Sequence, residues 1–324
     1  MPPPLTLAFV MDPIESIDID ADSTFVLMLE AQNRGHQLLV IDPEDLAVSE
    51  GQVVATVRPV RVRREPGCHA ELGPPRNAVL DEVADVVWQR KDPPVDAEYV
   101  IATQILTLCR RALVFNRPEG ILSSNEKLYT LHFADLMTDT LVSRSIPQLI
   151  DFMSKVGGEM IVKPLDGRGG EGIFHVRQSD RNLRSILEQS TRFQTCRTMA
   201  QRYLSTIREG DKRILLLEGE PLGALLRVPA SGEVRANLHA GGRPVRASLD
   251  DADRRIVERL APSLRRDGLF FVGIDVIGGY LTEVNVTSPT GIQEINALDG
   301  SHLEGVILDR LESRVRQPDP QFHR

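Results

Sequence analysis

The chain has 324 residues and a mass of 36.0 kDa, about twice the usual length of one domain, so two or three domains around more than one hydrophobic core are expected. With 41% hydrophobic and 26% charged residues it matches an ordinary globular protein, and no stretch reaches the roughly 18 to 20 uncharged apolar residues of a membrane helix. A net charge of -8 argues against broad binding to nucleic acid or anionic lipid and leaves small anions as candidate ligands.

Leu5 to Val10 is a short apolar run ending in Met11-Asp12-Pro13, and Asp22 caps a helical pattern that stops at Gly35. Gln37 to Asp42 and Asp85 to Gln89 read as further strands, Val100 to Cys109 as a helix and Ala112 to Asn116 as a strand. Alternating strands and helices predict a doubly wound parallel sheet, with ligands at the carboxyl ends of the strands. Met11-Asp12-Pro13 and Arg90-Lys91-Asp92-Pro93-Pro94 lie at such ends.

Pro118, Ser123 and Ser124 mark a connection before a helical start at Asn125-Glu126-Lys127-Leu128. A small α+β unit follows: a helix over 146–156, a strand over 160–163, a glycine-rich turn, a helix over 182–189 and a strand over 198–202. The last third holds strands over 213–217, 222–227, 270–277 and 280–285, mostly antiparallel, with helices over 250–267 and 302–316. The expected division is 1–122, 123–203 and 204–316, with a loose tail over 317–324.

Cys68, Cys109 and Cys196 are too far apart in sequence for a disulfide framework or a CxxC metal pattern. The N-terminus has no basic n-region and carries Asp12 where a signal peptide would still be apolar, so a cytoplasmic protein is expected. Only five of the 38 basic residues are lysines, Lys91, Lys127, Lys155, Lys163 and Lys212. A lysine kept in so arginine-rich a chain suggests a place where a compact ammonium is needed in preference to a planar fork.

Four patterns carry chemistry. In Lys163-Pro164-Leu165-Asp166-Gly167-Arg168-Gly169-Gly170-Glu171-Gly172 a strand delivers a lysine to a turn with four glycines. Backbone N–H groups there can approach an anion with no Cβ in the way. The spacing fits neither GxGxxG nor GxxxxGK[ST]. Glu283 and Asn285 share one face of a strand, and a hairpin turned at Gly278-Gly279 brings Asp275 opposite Glu283, so three oxygen ligands suited to Mg²⁺ converge. Arg213, Arg227, Arg235 and Arg243 can each grip a carboxylate or phosphoryl oxygen, the last two in a Gly- and Ala-rich segment able to act as a lid. Thr287-Ser288-Pro289-Thr290-Gly291 offers hydroxyls and backbone N–H groups to a small carboxylate. No Ser-His-Asp or Cys-His arrangement is present, and the histidines lack ligand spacing.

In order along the chain, VMDPI, RKDPP, NEKL, VKPLDGRGGEGIF, AQRYL, GDKRIL, ANLHAGGR, VGIDVIG and TEVNVTSPTG make it resemble the prokaryotic-type glutathione synthetases of the ATP-grasp superfamily. The resemblance implies an N-terminal substrate domain followed by the two-part ATP-grasp unit. It also implies ligation of γ-glutamylcysteine to glycine, with ATP split to ADP and phosphate through an acyl-phosphate. By the resemblance, Lys127, Lys163 and the glycine turn (Gly167, Gly169, Gly170, Gly172) contact the nucleotide phosphates, Gln201, Arg202, Tyr203 and Leu204 line the adenine pocket, and Asp211 belongs to the nucleotide site. Asp275, Glu283 and Asn285 hold two Mg²⁺ ions, or Mn²⁺ in their place. Arg213 and Arg227 stabilise the charge of phosphoryl transfer, and Arg235, Asn237, Gly241 and Gly242 form a lid over the substrate. The peptide lies against Arg90, Lys91 and Asp92 on one side and Ser288, Pro289, Thr290 and Gly291 on the other. A homodimer or homotetramer through the first domain is implied as well.

One departure concerns the lid, where Pro244-Val245-Arg246 stands in place of the more usual glycine and acidic residue, with His239 just before. The competing readings are another ATP-grasp carboxylate–amine ligase, which RKDPP and TSPTG speak against, and a non-catalytic ATP binder, which should lack metal ligands or lid arginines that are all present here.

Overall fold

The computed structural model describes residues 3–167, 169–230, 232–233, 235–237 and 241–317. Arg168, His239 and the tail beyond Gln317, all named above, lie outside them.

Four parallel strands form the centre of the first sheet, in the order Gln37–Ile41, Thr6–Val10, Val86–Gln89, Leu113–Phe115. Each is a near-continuous apolar run, as expected of strands covered on both faces. The sequence reading found these four and missed the rest of the sheet. Gln52–Val62 pairs antiparallel with Gln37–Ile41 and carries Leu46–Ser49, Ala70–Leu72 and Arg76–Val79 as further antiparallel partners. Its Val53, Ala55, Val57, Val60 and Val62 are buried and alternate with more exposed residues on either side of a break at Arg58-Pro59, a pattern that was legible in the sequence.

Trp88 lies at the centre of the interior, its ring 6.2 Å from those of both Phe9 and Phe270, while Phe115 and Phe270 approach to 4.5 Å. Each fully buried side chain of this kind contributes roughly 1.5 to 3 kcal/mol. The cluster ties the first sheet to the last third of the chain. So does Asn116, whose amide donates to Phe271 O (2.9 Å) and Val286 O (2.7 Å) and accepts from Phe271 N (2.8 Å).

The connection after this sheet is not irregular: Pro118–Ser123 is a short helix with proline in its first turn. The expected helical start at residue 125 is instead a turn, because Asn125 Oδ1 accepts from the backbone of Lys127 and Leu128. A 3-10 stretch, Tyr129–Leu136, follows and is kinked at Phe133.

The second sheet runs Phe174–Arg177, Glu159–Pro164, Thr198–Arg202, Thr140–Ser143, antiparallel throughout. Helices Ile146–Lys155 and Leu183–Ser190 cover one face, where Met160, Val162, Val176 and Ala200 meet Leu149, Met153 and Leu187. With a period of two, Ile161, Lys163, His175 and Gln201 therefore point to the opposite face.

The third sheet runs Arg243–Arg246, Glu220–Val228, Asp211–Leu217, Phe271–Ile277, Tyr280–Asn285, again antiparallel. Helix Asp251–Arg266 covers one face through Ile256, Leu260 and Leu264 against Ile214, Ile274 and Val284. The alternate residues, Asp211, Arg213 and Asp275, face the other way. Helices Ile292–Asp299 and Leu303–Arg316 return to pack against helix Ser23–Asn33 of the first unit. Among the described residues no helix is long and apolar enough to cross a membrane.

Candidate active site

The open faces of the second and third sheets enclose a cleft lined by Ile161, Lys163, Ile173, Gln201–Leu204, Asp211, Arg235–Asn237, Asp275 and Glu283, with about 740 Å³ of empty space continuous with solvent. Ile161, Ile173, Ile207 and Ile277 give it an apolar end.

The polar end is set by register. Arg213, Asp275 and Glu283 are directly opposite one another on three neighbouring strands, and Arg227 lies opposite Asp211. Arg213 grips Asp275 bidentately, Nε to Oδ1 at 2.5 Å and Nη2 to Oδ2 at 3.0 Å. Arg227 Nη2 bonds both Asp211 Oδ2 and Asp275 Oδ1, the latter at 3.0 Å. Asn285 Nδ2 reaches Asp275 Oδ2 at 3.4 Å. Burial alone would raise the Asp275 carboxyl, but the two guanidinium groups outweigh it and hold it well below the usual carboxylate range. Burial raises the Asp211 carboxyl, which the charge on Arg227 only partly offsets. Its Oδ1 is buried without a hydrogen-bond partner.

Both motif lysines point into this region. Lys163 is buried and donates to Thr282 O at 3.0 Å. Burial pulls its amine down to about 8, against the pull of Glu283. Lys127 bonds Glu283 Oε1 at 2.9 Å and Gly167 O at 2.8 Å. Burial would lower its amine, but the Glu283 carboxylate more than compensates and the net direction is upward.

The glycine turn meets the lid. A Cβ on Gly170 would stand 2.8 Å from Asn237 Oδ1 and 3.2 Å from Arg235 Cδ, and its φ of +84° is one that favours glycine. Gly242 N donates to Asn237 O, closing the described part of the lid. Pro244 falls in an edge strand, where the absence of an N–H does not interrupt a ladder on both sides.

The residues implied for the peptide meet at a second corner. Arg90 is buried, donating to Thr24 Oγ1 and to Pro289 O, each at 3.0 Å, and burial lowers its guanidinium. Pro289 in turn adjoins Thr290, whose carbonyl accepts from Arg213 Nη1 at 3.2 Å. Lys91 and the Asp92 N–H are both held by Asp12, so the strand-end motifs VMDPI and RKDPP come together. Lys212 is not in the site. It faces away and donates to Ser248 O and to Asp250 and Asp253, the two side chains that form the capping box of helix Asp251–Arg266.

Sequence reasoning missed Glu126. It is half-buried beside the site, where its Oε1 accepts from Val286 N, Thr287 N and Thr287 Oγ1 and thereby orients the segment after the Glu283 strand. Burial raises its carboxyl, with Glu283 adding in the same direction. Its place beside Lys127 in NEKL was the available signal.

As for the expected metal ligands, Asp275, Glu283 and Asn285 share one face, with Asp275 held by Arg213 and Arg227, Glu283 by Lys127, and the Asn285 amide donating to Asp275 Oδ2. Among the described residues no three His, Cys, Asp or Glu side chains converge as a metal cluster. The donor set, two carboxylates and an amide, is nonetheless of the hard-oxygen type that suits Mg²⁺.

Two family models match adjoining stretches: the N-terminal domain of prokaryotic glutathione synthetase over residues 5–121, and its ATP-grasp domain over residues 126–300. The chain is 46% identical to the glutathione synthetase of Gloeobacter violaceus, with 96% of this chain and 98% of that one covered. It is 44% identical to that of Brucella melitensis, with 96% and 99% covered. Among solved structures, a D-cycloserine synthetase aligns over 96% of this chain and 99% of its own at 17% identity with a TM-score of 0.69. The D-alanine–D-alanine ligase of Bacillus anthracis, complexed with ATP, aligns over 97% and 99% at 13% identity with a TM-score of 0.58, a likeness of fold. Both halves of the chain and nearly its whole length thus agree: it belongs to the prokaryotic glutathione synthetase family, ATP-grasp ligases that form a carbon–nitrogen bond.

Proposed function

We propose that the chain joins γ-L-glutamyl-L-cysteine to glycine. The γ-phosphoryl group of ATP passes to the cysteinyl carboxylate, the glycine nitrogen attacks that carbonyl carbon, and phosphate leaves as the amine gives up its proton. The observation that carries this site assignment is the convergence of Lys127, Lys163, Arg213 and Arg227 on the carboxylate row of Asp211, Asp275 and Glu283 at one end of an apolar cleft. A nucleotide fits that polarity, with its base toward Ile161, Ile173 and Gln201–Leu204 and its phosphates toward the lysines.

Lys127, Lys163 and the N–H groups of the turn holding Gly167, Gly169, Gly170 and Gly172 bind phosphate oxygens, and Asp211 completes the nucleotide side. Arg213 and Arg227 neutralise the charge that builds on the transferring group. Arg235, Asn237, Gly241 and Gly242 close over the turn and keep water from the acyl-phosphate. Arg90, with Lys91 and Asp92 beside it, faces the 288–291 segment to hold the peptide. Asp275, Glu283 and Asn285 would hold Mg²⁺, two ions or Mn²⁺ in their place, which when bound neutralises phosphate charge as a Lewis acid. No protein nucleophile is required. We assign the chain to three units, 1–122, 123–203 and 204–316, each enclosing one of the sheets, and expect a cytoplasmic homodimer or homotetramer.

Phosphate release by the purified protein with ATP and Mg²⁺ tests this, with both substrates and then with each omitted, product mass being read in parallel. Release that needs both and yields glutathione supports the proposal. Release with the dipeptide alone means acyl-phosphate leaking past the lid. No release with either substrate refutes the reaction and leaves another acyl donor or a non-catalytic nucleotide binder.

A further inference from the structure

We infer that His175 is a positioning residue for the nucleotide: its imidazole is the platform that holds Tyr203 in place as a wall of the cleft. His175 lies on the edge strand of the second sheet, directly opposite Ile161, which in turn faces Gln201 on the next strand. Ile161, Gln201 and Ile173 all line the cleft, so His175 continues a row of cleft-facing side chains. An edge-strand residue on an open face should be wet, yet its side chain is only 7% exposed. The cover is Tyr203, stacked on it with ring centroids 3.9 Å apart and planes 14° from parallel.

Tyr203 itself stands in irregular backbone between strand Thr198–Arg202 and the 3-10 turn Ser205–Arg208. Sheet pairing therefore does not fix its ring, and the stack does. The imidazole is held in turn by Glu159, with Nε2 2.9 Å from Oε2, and Glu159 also accepts from Arg177 Nε at 3.3 Å. Glu159 and Arg177 are register partners across the same two strands. A chain of contacts thus runs from the sheet edge through Glu159 and His175 to a ring that lines the cleft, using a histidine that no catalytic step employs. The inference rests on the reading that this cleft takes ATP.

Mg·ADP binding by calorimetry and steady-state kinetics on His175→Ala and His175→Phe, with thermal midpoints as a fold control, test it. In His175→Ala the ADP dissociation constant and the KM for ATP should rise about threefold to tenfold, the range of an aromatic stacking contribution. The kcat at saturating ATP and the KM values for dipeptide and glycine should not move. His175→Phe, which keeps a ring and loses the bond to Glu159, should restore both nucleotide constants to near wild type. Unchanged ADP affinity in His175→Ala, a joint fall in all kinetic constants, or no rescue by phenylalanine would each overturn the inference. Wild-type protein that binds Mg·ADP but does not turn over the dipeptide and glycine would instead refute the proposed reaction, and the binding comparison would still decide the role of His175.

Discussion

Lys163 offers the sharpest quantitative test, because the structure makes it both unfavourable for the empty protein and useful to the occupied one. Its amine is buried, donates to the backbone carbonyl of Thr282, and is pulled from 10.5 to about 8. That drop corresponds to about 3 kcal/mol of penalty on the charged amine. Below about pH 8 the ammonium is present in both folded and unfolded chains and the penalty is complete. Between about 8 and 10.5 the unfolded chain keeps a proton that the folded one has lost, so the stability of the ligand-free protein rises with pH across that window. Lys163→Met removes the charge at similar volume and orphans Thr282 O, a loss of about 1 kcal/mol. The variant should therefore be more stable than wild type by about 2 kcal/mol at pH 7, an advantage that shrinks by pH 10. ATP affinity should move oppositely, falling in wild type as pH climbs through 8 while the variant binds weakly and flatly. Scanning calorimetry at pH 7 and 10 and titration calorimetry with ATP at pH 7 and 9.5 measure both. A variant less stable than wild type at pH 7, or wild-type ATP affinity that does not change with pH, would refute the reasoning. Lys163→Arg keeps the charge and the fold but replaces a compact ammonium by a fork, and should raise the KM for ATP.

Gly170→Ala forces a positive φ on alanine and crowds Asn237 Oδ1 at 2.8 Å; lid seating should suffer, so that phosphate released per glutathione formed rises above one, whereas unchanged coupling would show that the turn and lid need not touch. Lys212→Met should lower the stability of the protein by about 1 to 2 kcal/mol through the cap of helix Asp251–Arg266 and leave all Michaelis constants alone; a raised KM for ATP would return it to the site. Asn116→Ala leaves two buried carbonyls and one N–H without partners and should cost about 3 to 5 kcal/mol, read as a fall in the denaturation midpoint; a loss under about 1 kcal/mol would show that the aromatic cluster alone joins the first sheet to the third.

The parts of the fold that were legible in the sequence are those whose signal is local. Strand Tyr280–Asn285 and its turn at Gly278-Gly279 were bounded correctly because two glycines with positive φ separate two apolar runs, and helix Asp251–Arg266 lies within the expected 250–267, its start fixed in the structure by the Asp250 and Asp253 capping box. The strand Gln52–Val62 has a weaker signal, because Arg58 and Pro59 break its alternation between Val57 and Val60 and it lacks the continuous apolar run of a buried parallel strand. At Asn125 local chemistry competed with itself. An Asn that caps a helix and an Asn that folds a turn look alike in sequence, and only the side-chain bonds to Lys127 and Leu128 distinguish them.

The site shows the same division at the level of charge. Spacing on one strand predicted that Glu283 and Asn285 share a face, and the hairpin register then fixed Asp275 opposite Glu283. What spacing could not convey is that Arg213 occupies the third position of that row, on a strand more than sixty residues earlier, and that Arg227 bridges Asp211 and Asp275. These long-range pairings give the ligand-free cleft its stability, because two buried carboxylates without them would be strongly destabilising. They also mean that the guanidinium groups assigned to the transferring phosphoryl are already desolvated and held by Asp211 and Asp275, two carboxylates that line the cleft. Arginines that are already oriented and buried need less reorganisation to meet a phosphoryl group than side chains drawn in from solvent.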